Sequence, residues 1–213
     1  ARSLGEGYVV GHVEVDCREA MGANIVNTVA EAVGPTVAEL CGGTLGLRIL
    51  TNYCDLRTTR VTARIPIEAM GCDRVDGLTA ARGVASASRF AELDPYRAVT
   101  HNKGIANGMD AVVVATGNDW RATSAAAHAY AARSGQYGPL ATWRVSEDGA
   151  ALEGVLELPL AVGAIGGALR AHRGARLALE ILGARSSAEL AQVVAAAGLA
   201  TNLAALRALA TEG

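Results

Sequence analysis

The sequence predicts an α+β protein, and three patterns lead to that class. A strand–helix–strand succession fills the first 51 residues, helix-type periodicity dominates from Leu78 to Ala210, and one strand pair between Ala141 and Leu158 interrupts it. Residues 1–51 read as part of a small α+β unit and residues 52–213 as a larger, mostly helical domain.

Each element follows from local chemistry. Tyr8 to Val15 alternates as a strand. From Ala20 to Leu40, apolar residues recur every fourth position at Met21, Ile25, Val29, Val33 and Val37, one stripe on a helix that Gly34-Pro35 should bend or divide. Gly42-Gly43 breaks the chain, Leu45-Leu47-Ile49 alternates as a second strand, and Arg60 to Ile67 as a third. Leu78 to Leu93 is a helix, and Asp94-Pro95 starts another, with Asp as cap and Pro at the first helical position. Met109 to Ala115 fits a buried strand or a buried helix equally well. Asp119 to Ala132 is helical, and Ala141–Trp143 pairs with Leu152–Leu158 around a Glu147-Asp148-Gly149 turn. Three helices close the chain, at Arg176–Leu182, Ser187–Ala197 and Asn202–Ala210, the second capped by Ser187.

Composition excludes several classes. Hydrophobic residues make up 51% and charged residues 19%, a balance that suits a packed core and not a disordered chain. With a net charge of -2 and basic residues scattered, no footprint for nucleic acid or an anionic membrane appears. Cys17, Cys41, Cys54 and Cys72 form no C-x-x-C pair, and His12, His101, His128 and His172 fall in no ligand spacing, so no metal is expected. No 18-residue apolar run or signal peptide stands out, which predicts a soluble, cytoplasmic protein without a membrane span. The chain stops inside a helix-like pattern, as a central piece of a longer domain would.

Lysine usage is the sharpest compositional signal. Nineteen basic residues include one lysine, Lys103; the other eighteen are arginines. A compact ammonium with a tunable pKa suits polarisation of a carbonyl oxygen better than a planar guanidinium does. Lys103 lies among the donors Arg97, His101, Asn102 and Asn107 and several small residues, a stretch that also fits a solvated turn. Sixteen residues on, Asp119 can cap a helix or hold an ammonium in place. Two further clusters admit both a ligand and a structural reading. Asp16 to Asn27 sits between strand and helix, where free N–H groups attract phosphate or a turn simply closes. Gly163-Ala164-Ile165-Gly166-Gly167-Ala168 can hug a ligand or pack helix on strand. Trp120 and Trp143 read as core or interface residues.

Together these clusters resemble the hydroxymethylglutaryl-CoA reductase family, in its soluble bacterial style. Glu19-Ala20-Met21-Gly22-Ala23-Asn24 is similar to that family's dinucleotide-binding motif. Asp94-Pro95-Tyr96-Arg97 running into His101-Asn102-Lys103-Gly104 is similar to its catalytic-lysine segment, and Gly117-Asn118-Asp119-Trp120-Arg121 to its catalytic-aspartate segment. Ser134–Gly138, Leu158–Leu160 with the Gly163–Gly167 run, and Leu209–Gly213 follow in the same order.

The resemblance implies a helical large substrate domain over 52–213 and a partial, ferredoxin-like cofactor-binding domain over 1–51. It implies two hydride transfers with NAD(H) or NADP(H) that interconvert hydroxymethylglutaryl-CoA with mevalonate and CoA, in a homodimer with a shared active site, often assembled further into a hexamer. Lys103 would stabilise the oxyanion and Asp119 would hold and tune Lys103; Arg97, Asn107 and Asn52 match substrate-side positions, and Glu19, Met21, Gly22 and Asn24 the cofactor loop. Glu19 stands where the family usually has Asp, and no match to the family's catalytic glutamate or histidine is present, so the chain alone is expected to be inactive. The rival is a truncated or degenerate relative that binds a CoA ester or a partner without turnover.

Overall fold

The computed structural model describes residues 1–166 and 171–212. In chain order its elements are β1 (Arg2–Gly5), β2 (Tyr8–Val10), α1 (Ala23–Cys41), β3 (Thr58–Pro66), a 3-10 turn (Ile67–Met70), α2 (Gly77–Leu93), α3 (Pro95–Ala115), α4 (Trp120–Ala131), β4 (Ala141–Val145), β5 (Ala151–Pro159), α5 (Arg173–Leu182) and α6 (Ser187–Thr211). The mixture of helices and small sheets is α+β, as expected.

An antiparallel three-stranded sheet in the order β3-β5-β4 carries the core. Its register pairs Thr62 with Val155 on one side and Trp143 with Gly154 on the other. Gly154 is required there: a Cβ would lie 2.3 Å from the Trp143 ring, so the indole takes the space a side chain would fill. Helix α6 packs on β3 and β5, α2 on β4, and α3 lies against both α6 and α2. Met70, Val84, Ile105, Leu152, Leu156, Leu190 and Leu206 are buried between these layers. Close approach of α3 and α6 depends on small residues, since a Cβ on Gly108 would meet the Ala197 carbonyl oxygen at 2.3 Å.

Several expectations need correction. Strand β2 ends at Val10, and β1, which periodicity did not reveal, is its partner. Leu45–Ile49 forms no strand: no neighbouring edge supplies a hydrogen-bonding ladder among the described residues, and Leu47 and Ile49 are exposed. Helix α1 continues through Pro35, because the preceding Gly34 has no Cβ to clash with the proline ring. The stretch around Lys103 is not a turn but the middle of α3, which also resolves Met109–Ala115 as helix. Helix α6 fuses two expected helices, since a Cβ on Gly198 would lie 2.8 Å from the Met109 side chain and tight packing offsets the low helix propensity of glycine. Its cap is Ser186, not Ser187, and accepts from the Glu189 N–H. The fused helix contains an 18-residue window of mean hydropathy 1.6 and is long and apolar enough to cross a membrane, a run not expected from the sequence; Leu190, Val194, Leu199 and Leu206 from it are buried in the core.

Candidate active site

Lys103 opens onto a cavity of about 350 Å³ between α3 and the C-terminal half of α6. Arg97, Thr100, His101, Gly104 and Asn107 line it at helical steps of three and four, the face that α3 turns toward α6. Asn202, Ala205, Leu206, Leu209 and Glu212 supply the opposite wall. Asp94 starts this helix by accepting from the Tyr96 and Arg97 N–H groups, which fixes where Arg97 begins the lining. Asn102 faces away from the cavity and is spent on structure, accepting from the Leu140 N–H and donating to the Gly138 carbonyl.

His101 is 2% exposed, with Nε2 3.1 Å from the Ala141 carbonyl oxygen. That geometry requires Nε2 to carry the proton, leaving Nδ1 as a buried acceptor with no partner among the described residues. Burial first, and the Arg97 guanidinium second, push the imidazole down to about 4, only partly opposed by the Ala141 bond and Glu92. A neutral ring therefore lies beside the lysine.

A second cavity, of about 400 Å³, is lined by Ala20 to Ile25, by Gly117, Asn118 and Asp119, and by Gly163, Ile165 and Gly166. Gly22, at φ 109°, ends the loop and caps α1 without a side-chain bond, so the first-turn N–H groups of α1 face this space unclaimed by a cap. A Cβ on Gly163 would lie 2.6 Å from the Met21 nitrogen, so the two walls approach where only glycine fits. Asn118 locks the second wall by accepting from the Gly163 N–H and donating to its carbonyl. Asp119 caps α4 through the Arg121 and Ala122 N–H groups and pairs with the Arg121 guanidinium at 3.3 Å. Burial works to raise its carboxyl, but the Ala122 and Arg121 hydrogen bonds outweigh it and hold the group below the usual carboxylate range.

Met21, Gly22 and Asn24 thus share one cavity with Asp119, and Arg97, Asn107 and Lys103 share the other. Asn52 lines neither and hands its carbonyl to the Cys54 N–H. The Glu19 carboxylate also points elsewhere, accepting from the Ser187 N–H at the start of α6, while its carbonyl accepts from Ala164. One chain does not bring Lys103 to Asp119. Twelve residues of α3 separate Lys103 from Ala115, about 18 Å of helix axis. Sequence reasoning missed Asn202, which lines the first cavity, and Arg57, whose guanidinium donates to the Ala20 and Met21 carbonyls of the loop at the second. A polar residue inside the apolar stripe of α6 was the available signal for the first; nothing local marked the second. Gly167, Ala168 and Gly213 lie outside the described residues. Among the described residues no cluster of three His, Cys, Asp or Glu could hold a metal, and all four thiols are free.

A family model described as hydroxymethylglutaryl-coenzyme A reductase matches residues 2–213. The chain is 47% identical over 210 residues to the 3-hydroxy-3-methylglutaryl-coenzyme A reductase of Archaeoglobus fulgidus, covering 99% of this chain and 46% of that protein. It is 35% identical over 202 residues to the probable enzyme of the same name from Borreliella burgdorferi, covering 95% and 46%. Among solved structures, the 3-hydroxy-3-methylglutaryl-coenzyme A reductase of Streptococcus pneumoniae superposes with a TM-score of 0.87 at 43% identity, over 91% of this chain and 52% of that one. A structure of the class II enzyme from that organism, bound to NADPH in open conformations, superposes with a TM-score of 0.87 at 44% identity, over 91% and 53%. The chain spans about half the length of the curated relatives it matches.

Proposed function

The chain belongs to the hydroxymethylglutaryl-coenzyme A reductase family, and on that premise we propose that the protein interconverts hydroxymethylglutaryl-CoA with mevalonate and CoA by two hydride transfers. The observation that carries the reading is the placement of the single lysine at a cavity lined by Arg97 and Asn107. A nicotinamide cofactor, NAD(H) or NADP(H), supplies the hydride. Free backbone donors at the start of α1, and a loop and facing wall that only glycine allows at Gly22 and Gly163, fit its phosphates.

Reduction of the thioester carbonyl moves negative charge onto its oxygen, and the Lys103 ammonium stabilises that charge more in the transition state than in the ground state. Arg97 offers a planar fork that matches the substrate carboxylate, and Asn107 a neutral donor on the same helix face. The Glu19 carboxylate braces the cofactor loop from behind through Ser187. Asn52 supports the segment leading to β3.

Lys103 and Asp119 line different cavities of one chain, which supports a shared site in which Asp119 of one copy holds and tunes Lys103 of the other across a homodimer. A cytoplasmic, soluble homodimer, extended to a hexamer where dimers associate, belongs to the same proposal. Oxidation of NADPH or NADH by the full-length protein on addition of hydroxymethylglutaryl-CoA tests the activity, and absence of turnover with either cofactor overturns it. Mixing tests the sharing. Lys103→Ala and Asp119→Asn, each inactive alone, should regain about a quarter of wild-type activity when co-expressed, because half the dimers are mixed and one site of each is intact. No recovery places both groups in one copy.

A further inference from the structure

The geometry points to Arg57 as the positioning residue that sets the dinucleotide loop, an inference that rests on the reading of the second cavity given above. Arg57 precedes β3 and is half-buried. Among the described residues its guanidinium donates only to backbone carbonyls: Nη1 to Ala20 at 3.0 Å and Met21 at 3.2 Å, Nη2 to Arg18 at 3.4 Å and Val162 at 2.9 Å. Among the described residues no carboxylate lies within ion-pair distance of it. Three of its acceptors belong to the loop before α1. The fourth belongs to the segment that continues into Gly163 and the facing wall of the cavity.

Such a clamp controls more than the carbonyls it touches. A trans peptide is planar, with its C=O and the following N–H pointing opposite ways. Turning the Ala20 and Met21 carbonyls onto Arg57 therefore turns the N–H groups of Met21 and Gly22 away from it. Both residues line the cavity, and among the described residues neither N–H donates to another group. Arg57 thus orients two backbone donors of the loop, that of Met21 against Gly163 of the facing wall and that of Gly22 ahead of the first turn of α1, and adds a positive charge behind them, which suits a dinucleotide's phosphates. No other side chain does this equally. Lysine has three donors at a single point, and only the planar fork of arginine spans carbonyls on two segments.

The test uses the full-length protein with NADPH, NADH and hydroxymethylglutaryl-CoA as separate probes, comparing wild type with Arg57→Lys and Arg57→Gln. Dinucleotide affinity should fall about tenfold or more in Arg57→Lys and further in Arg57→Gln, the effect of losing one or two charge-assisted hydrogen bonds. Thioester affinity should stay within about twofold and kcat at saturating cofactor should be largely kept, a split that general loosening of the fold does not produce. Added guanidinium ion should restore dinucleotide binding to Arg57→Gln, and ammonium ion should not. If Arg57→Gln fails to fold, Arg57→Lys, which keeps charge and stem, carries the comparison. Unchanged dinucleotide affinity in a folded variant, or equal loss of both ligands, overturns the role of Arg57. A wild-type protein that binds neither dinucleotide instead overturns the reading of the cavity, and this role with it.

Discussion

Trp143 donates its indole N–H to the side-chain oxygen of Asn202 at 2.8 Å, with both residues 1% exposed. The amide of Asn202 in turn reaches the His101 carbonyl, so sheet, α6 and α3 are joined by one side chain beside the Lys103 cavity. Asn202→Ala leaves a buried indole N–H without an acceptor and should cost about 1–3 kcal/mol of stability. Urea unfolding checks it, and pairing Asn202→Ala with Trp143→Phe should recover part of the loss, since the orphaned donor is then gone.

Gly22 occupies the left-handed region, and a Cβ there would lie 2.5 Å from the Cys17 sulfur. Gly22→Val should therefore displace the loop at a strain of about 1–3 kcal/mol. Dinucleotide binding should weaken while binding of hydroxymethylglutaryl-CoA stays nearly normal. Calorimetric titration with each ligand reads the difference, and parallel loss of both argues against two separate cavities.

His101 makes stability depend on acid. Unfolded, its imidazole takes a proton near pH 6.5; folded, only near 4. Between those values the unfolded chain binds more protons, so stability present above the upper one is lost as the pH falls toward the lower. The contribution of His101 should shrink by about 2 kcal/mol between pH 7 and pH 5. Unfolding free energies at both pH values should differ less in His101→Gln than in wild type by that amount. An unchanged difference means that the ring is charged or exposed in the fold.

Lys103 is exposed and belongs to no ion pair among the described residues, so its removal should leave stability unaltered. Lys103→Ala should lower kcat by about 10²–10³-fold, the scale of losing one oxyanion donor. Lys103→Arg should rescue little, because a planar fork replaces a compact charge. Steady-state kinetics at saturating cofactor decide; a normal kcat with a raised KM makes Lys103 a binding residue only.

Periodicity and end signals alone were enough for β3, α2 and the β4–β5 pair, because there the local preference and the buried face agree. The Asp94 and Asp119 caps were legible for the same reason: a cap is a bond between residues two or three apart. The family was legible too, since its motifs keep their order along the chain. Tertiary packing decided the rest. A strand at Leu45–Ile49 needs a partner edge that no local pattern encodes, and the run from Tyr96 to Val114 stays helical with α6 packed so close that Gly108 is an asset. Lys103 and Asp119 line different cavities because α3 runs on unbroken to Ala115, which their sixteen-residue spacing does not reveal. Arg57 finds its four carbonyls on segments up to 105 residues away. Glu19 meets the Ser187 N–H across 168. Contacts of that range form only when the whole chain has closed, so they leave no trace in a window of sequence.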